Sequence, residues 1–197
     1  MKMNKKQKII IAAVAGCLVL GALLLYAIGS GRYPIALVGW QPVTTRDLEI
    51  GLRMASAYSR KIVSVTQATT TAILDPSSRE AQAIVLDQLI ENRIVAEELR
   101  KEIGSDAATL VGAKLARYRD DPQLVRAASD MFAATRAELE KYSLRPQAER
   151  DVLKGHYFLK GKDFSVWLAT ARHEAKVTIL SSSFEWQDGK VLVSEER

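Results

Sequence analysis

The sequence predicts a mainly helical protein: an N-terminal transmembrane helix, then a domain of five or six helices with short strands near both of its ends. Three observations carry this reading. Residues 9–28 form an uncharged apolar run, a helical apolar period is sustained over residues 76–103, and short β-like patterns are confined to residues 35–43 and to the stretch after residue 175.

The apolar run (IIIAAVAGCLVLGALLLYAI) is twenty residues long. At a rise of 1.5 Å per residue it matches a hydrocarbon core about 30 Å thick. Lys2, Lys5, Lys6 and Lys8 precede it, whereas only Arg32 occurs in the seventeen residues that follow. The positive-inside bias therefore makes residues 1–8 a cytoplasmic tail and places the remainder outside the cytoplasm. Two competing readings remain open. Ala27-Ile28-Gly29 resembles a signal-peptide cleavage site, and Val14-Ala15-Gly16-Cys17 resembles a lipoprotein box that would leave Cys17 lipidated.

Residues 29–33 read as a linker. Residues 35–43 then read as a small hairpin, with Gly39-Trp40-Gln41-Pro42 supplying the turn. Thr44 followed by Asp47 is close to a capping box and starts a helix to about Val63, striped by Leu48, Leu52 and Ala55. Residues 64–74 lack a clean period. Asp75-Pro76 reads as an N-cap with proline at the first helical position, opening the longest helix, Pro76 to Ile103. Its two apolar faces, Ile84, Val85, Leu89, Val95, Leu99 and Ile103 on one and Leu86, Ile90 and Ile94 on the other, make it the central helix.

Gly104-Ser105-Asp106 stops that helix and caps the next, which runs to about Arg119 with Leu110, Val111 and Leu115 inward. Asp121-Pro122 opens a further helix to about Tyr142, and Ser143 caps one carrying Ala148, Val152, Leu153 and Tyr157. After a break at Gly161 a last helix spans about Asp163 to Ala175. Residues 176–180 alternate as a strand, and residues 184–193 read as a terminal hairpin around a type I′ turn at Asp188-Gly189.

Composition narrows the chemistry. The formal charge is +5, from 28 Lys and Arg against 23 Asp and Glu, but without the four N-terminal lysines the body is near neutral, which gives no support to nucleic-acid binding. A single cysteine excludes an intramolecular disulfide and a cysteine zinc site, and His156 and His173 lack the i, i+4 spacing of a helical metal pair. No nucleophile elbow, Ser-x-x-Lys context or Gly-rich phosphate loop is present, so the sequence predicts neither an enzyme nor a cofactor or metal.

The order of elements resembles the N-terminal substrate-binding domain of the SurA, PrsA and PpiD group of extracytoplasmic folding factors. Residues Ile35 to Leu48 (IALVGWQPVTTRDL) resemble that group's opening strand, turn and capped helix, with Gly39-Trp40 where the group often has Asn-Gly. Val85 to Leu99 (VLDQLIENRIVAEEL) is similar to its LDQLIxxxLLxxEA helix, and Phe164-Ser165-Val166-Trp167-Leu168 through Leu180 resembles its returning helix and strand. The resemblance covers residues 34–180 and leaves 181–197 as a hairpin or tail. Isomerase members of the group carry a parvulin domain of about one hundred residues; no such tract is present, and only 17 residues follow Leu180.

The resemblance thus implies a single-pass, membrane-anchored chaperone of the holdase type, which binds unfolded or nascent exported polypeptides and lacks prolyl isomerase activity. The alternative is a membrane-anchored helical scaffold holding one defined envelope partner. Large adaptable apolar side chains are the candidate client contacts: Met54, Tyr58, Met131, Phe132, Tyr142, Tyr157 and Phe158. A helical domain of this size needs such residues inside, which makes a place in the core the stronger reading for any one of them, and periodicity does not separate the two uses.

Overall fold

The computed structural model describes residues 33–66, 75–119 and 121–194. The run 9–28, Cys17, the linker up to residue 32 and residues 67–74 lie outside these. Among the described residues no helix is long and apolar enough to cross a membrane.

Strands β1 (Pro34–Val38) and β2 (Gln41–Thr44) form the expected antiparallel hairpin, turning at Gly39, whose φ of +56° favours glycine. The returning strand β3 (Val177–Ile179) pairs antiparallel with the other edge of β1, giving the order β2-β1-β3. Leu180 N donates to Ile35 O at 2.8 Å and Gly39 N to Lys176 O at 2.8 Å, so both ends of β1 are fastened to the C-terminal segment.

Helix α1 (Thr45–Thr66) starts on the expected capping box: Asp47 N donates to Thr44 Oγ1 at 3.2 Å and Thr44 N to Asp47 Oδ2 at 3.1 Å. It crosses α2 (Arg79–Ile103) at Gly51, where an added Cβ would lie 2.7 Å from Val85 Cγ1. The start of α2 corrects the sequence reading. Asp75 accepts hydrogen bonds from Ser77 N (2.9 Å) and Ser77 Oγ (2.7 Å), which makes a turn of residues 75–78, and Ser78 is the N-cap. Pro76 belongs to that turn, where its fixed φ is equally at home.

Leu86, Ile90 and Ile94 are buried on α2, as are Val85, Val95 and Leu99, but Ile84 is exposed. Gly104 ends the helix at φ +66°. In α3 (Asp106–Arg119) the inward stripe is Ala107, Val111 and Leu115, so Leu110 faces outward, contrary to expectation.

The largest correction follows. Helix α4 (Pro122–Phe132) does not continue to Tyr142: it breaks at Ala133, whose φ is +47°. A capping box of Thr135 and Glu138 then starts the short α5 (Arg136–Leu139). A π-helical turn at Glu140–Leu144 joins α5 without interruption to α6 (Arg145–Leu159), so Ser143 lies within helix and caps nothing. Pro146 has no N–H to offer the preceding turn, and the wide turn, closed by Arg145 N on Glu140 O, sits immediately before it.

Helix α7 (Phe164–Glu174) is capped by Asp163, which accepts from Ser165 N (2.7 Å) and Val166 N (3.0 Å). Strands β4 (Phe184–Gln187) and β5 (Lys190–Val193) form the terminal hairpin, with Asp188 and Gly189 both at positive φ, as a type I′ turn requires. Among the described residues six helices exceed ten residues and the strands lie near the two ends, so the protein is mainly α.

Three apolar clusters hold these elements. The largest joins the β1–β3 sheet, α1, α2 and the terminal hairpin, with Phe184 and Val191 buried in it. A second, around Leu115, Leu153 and Tyr157, joins α2, α3 and α6. A third, around Met54, Ala134 and Leu139, makes a smaller lobe of α1, α4 and α5. An ion cluster fastens the first two. One Arg172 amino group reaches both Asp87 oxygens, at 2.6 and 2.7 Å, and the other binds Glu91, which also pairs with Arg150. Asp87 additionally accepts Val191 N at 3.0 Å, and Arg172 Nε donates to Gly189 O at 2.8 Å.

Candidate functional site

The third lobe gathers most of the apolar residues singled out by type. Met54 and Tyr58 are one turn apart on α1, while Met131 and Phe132 end α4, and Tyr142 lies in the π-helical turn beneath. The Tyr58 ring stacks on Phe132 with centroids 5.2 Å apart and planes 10° from parallel. Tyr58 nevertheless stays 41% exposed, and Met131, which precedes Phe132 in α4, 37%. Parallel stacking leaves one face of Tyr58 uncovered, so the lobe presents aromatic and thioether surface on a formed helix pair.

Met54 is buried in the centre of this cluster and supports it from below. Tyr157 is buried in the second cluster, its OH donating to Glu98 Oε1 at 2.7 Å and its ring meeting Trp167 edge-on. These two candidates are core side chains, held there by packing that their helical period could not distinguish from a surface use. Phe158, the neighbour of Tyr157, points away and is 80% exposed, and Leu159 after it is 85% exposed.

The lobe is held in shape by polar contacts. Arg53, on α1, donates to Ala133 O and to Glu138, clamping the break between α4 and α5. At the base, Asp47 Oδ1 accepts from Tyr142 OH (2.7 Å) and Lys141 Nζ (3.0 Å). Burial pushes the Asp47 carboxyl up, and hydrogen bonds from Tyr142, Lys141 and Thr44 more than reverse this, to about 2. Burial pushes the Tyr142 phenol up. For Lys141, burial acts downward, but the Tyr142 and Asp47 partners hold the ammonium above its ordinary range. At neutral pH the trio therefore holds a carboxylate, a phenol and an ammonium. None is poised as a base or nucleophile, and the trio acts as a lock.

A cleft of about 350 Å³ lies between α2, the β1–β2 turn and α7, lined by Val38, Glu97, Lys101, Trp167, Thr170 and Glu174. Glu102, at the end of α2, accepts from Lys160 Nζ (2.7 Å) and pairs with His156 Nε2 (3.1 Å), which holds its carboxyl down to about 2. Among the described residues no cluster of three or more His, Cys, Asp or Glu side chains could hold a metal ion.

Two exposed apolar residues escaped sequence reasoning although a signal existed. Trp40 is 98% exposed because it is the second residue of a two-residue turn and has no strand neighbour to lie against. Leu159 ends α6 just before Lys160-Gly161-Lys162, a polar stop after which nothing folds back over it. No protein-family model, curated protein or solved structure matches the chain.

Proposed function

We propose that the chain is a membrane-anchored extracytoplasmic holdase that binds unfolded segments of exported proteins through the lobe of α1 and α4, with no prolyl isomerase part. The observation that carries this reading is the Tyr58–Phe132 stack, a half-exposed aromatic surface, with exposed Met131 at the preceding position of α4. Large, adaptable apolar side chains on a locked support suit transient, sequence-tolerant contacts. The basic residues before the run 9–28 support an outward-facing body, and tethering there would raise its effective concentration near emerging chains. The test is suppression of aggregation of an unfolded exported protein by the full chain in detergent. Suppression that falls when Tyr58 and Met131 are both replaced by serine supports the reading; no suppression at several-fold excess overturns it.

A second reading, a scaffold for one defined envelope partner, is favoured by Trp40, a fully presented indole on a two-residue turn, which suits a single complementary pocket. Crosslinking from position 40 to one stoichiometric partner would select it.

A further inference from the structure

Between α2, α3 and the start of α6 runs a groove made of two adjoining cavities of about 310 and 320 Å³. They share Arg93, Ala96, Arg145 and Glu149. Leu89, Ala96 and Ala107 supply an apolar floor, while Arg93, Arg100 and Arg145 stand along its walls. Arg93, Ala96 and Arg100 lie on one stripe of α2, and the small Ala96 between the two arginines opens the space they border.

The charges in this groove are unevenly used. Lys141 is taken by Asp47 at 3.0 Å and Arg145 by Glu140 at 2.9 Å. Arg100, by contrast, donates through Nε to the carbonyl of Ala96 in its own helix (3.2 Å), and Arg93 reaches Asp47 only at 3.9 Å. Glu149 makes no hydrogen bond or ion pair among the described residues, although Arg145, Arg93 and Arg100 all act on it; burial holds its carboxyl up against them. Three guanidinium groups that surround a carboxylate without closing on it leave room for another acceptor, and guanidinium forks are built for carboxylates.

We infer that the groove takes an extended, acidic peptide segment, with aliphatic side chains on the floor and carboxylates on Arg93 and Arg100. The shape favours a chain over a compact anion. Seven residues of helix separate the two arginines, about 10 Å along α2, which falls between the roughly 7 and 14 Å that separate side chains two and four residues apart on one face of an extended chain, so glutamates alternating with leucines reach both guanidinium groups. The inference stands apart from the holdase reading, since it uses neither Tyr58 nor Phe132.

The test is fluorescence anisotropy of the full chain in detergent with a short fluorescein-labelled peptide of alternating leucine and glutamate. The controls replace glutamate by glutamine or by lysine. The glutamate peptide is expected to bind about tenfold or more tighter than either control, with affinity falling as salt is added. Arg93→Ala with Arg100→Ala should weaken it about tenfold. Arg100→Glu, at an exposed position whose one hydrogen bond among the described residues is to its own helix, should weaken it further without loss of helix content. Glu149→Gln, which removes the competing charge, should tighten it. Equal binding of the three peptides, or affinity unchanged in both arginine variants, overturns the inference. So does self-association of the peptide-free chain that Arg100→Glu abolishes, which would assign the groove to a second copy. Loss of aggregation suppression in a Tyr58 variant with peptide affinity intact would leave this inference standing on its own.

Discussion

Tyr58 lies parallel to Phe132 across the gap between α1 and α4, and this contact joins two elements that the sequence separates by more than seventy residues. Removing one ring should cost stability modestly and function heavily. Tyr58→Ala is expected to lose about 1 kcal/mol of the stacking contribution, read as a shift in urea midpoint, because the ring is already half in water. Its suppression of client aggregation should fall much further than its stability.

Arg172 holds the terminal hairpin and α7 onto α2 through Asp87 and Glu91, both largely removed from solvent. Arg172→Met leaves Asp87 without its cation, while Glu91 keeps Arg150. The expected loss is about 3 kcal/mol in chemical denaturation. Arg172→Lys should recover only part of it, since an ammonium cannot bind two carboxylates and the Gly189 carbonyl as a fork does.

Asp47 makes acid stability predictable. Its folded carboxyl is depressed from 3.8 to about 2, so its contribution is fully present above about pH 4 and disappears as pH falls toward 2. The shift corresponds to about 2 kcal/mol. Urea midpoints measured between about pH 6 and pH 2 for the native chain and for Asp47→Asn should converge at the acid end and differ by about that amount at neutral pH. A difference that stays constant across the range would contradict the assignment.

Backbone geometry gives a pair of opposite expectations. Ala133→Gly should stabilise by about 1 kcal/mol, because an alanine is held at φ +47° where glycine carries no penalty. Gly51→Ala should destabilise by about 1 to 3 kcal/mol despite alanine's better helix propensity, since its Cβ would meet Val85 Cγ1 at 2.7 Å. Both are read from thermal or urea unfolding.

These contrasts show which parts of the fold are written locally. The Thr44–Asp47 box, the Gly104 stop and the Asp188-Gly189 turn are each decided by residues within three or four positions, and each formed where the sequence placed it. The break at Ala133 has no such signature, because alanine is a helix former and the side chain that binds its carbonyl, Arg53, lies eighty residues away. The Thr135–Glu138 box just after it was a legible restart signal, whereas Ser143 was a misleading one. Depth was harder still. Met54 and Tyr58 share a helix face, and only the position of α4 at the rim of the lobe decides that one is core and the other half in solvent. The groove beside Arg93 and Arg100 was invisible for the same reason: its walls come from α2, α3 and α6, and on their own helices those arginines read as ordinary solvated charges.

The most direct test of the client-binding lobe is photocrosslinking in intact cells from a photoreactive residue placed at position 58. The account predicts a ladder of exported polypeptides, lost when Phe132 and Met131 are replaced by serine. Absence of adducts, or one stoichiometric partner in their place, would contradict it.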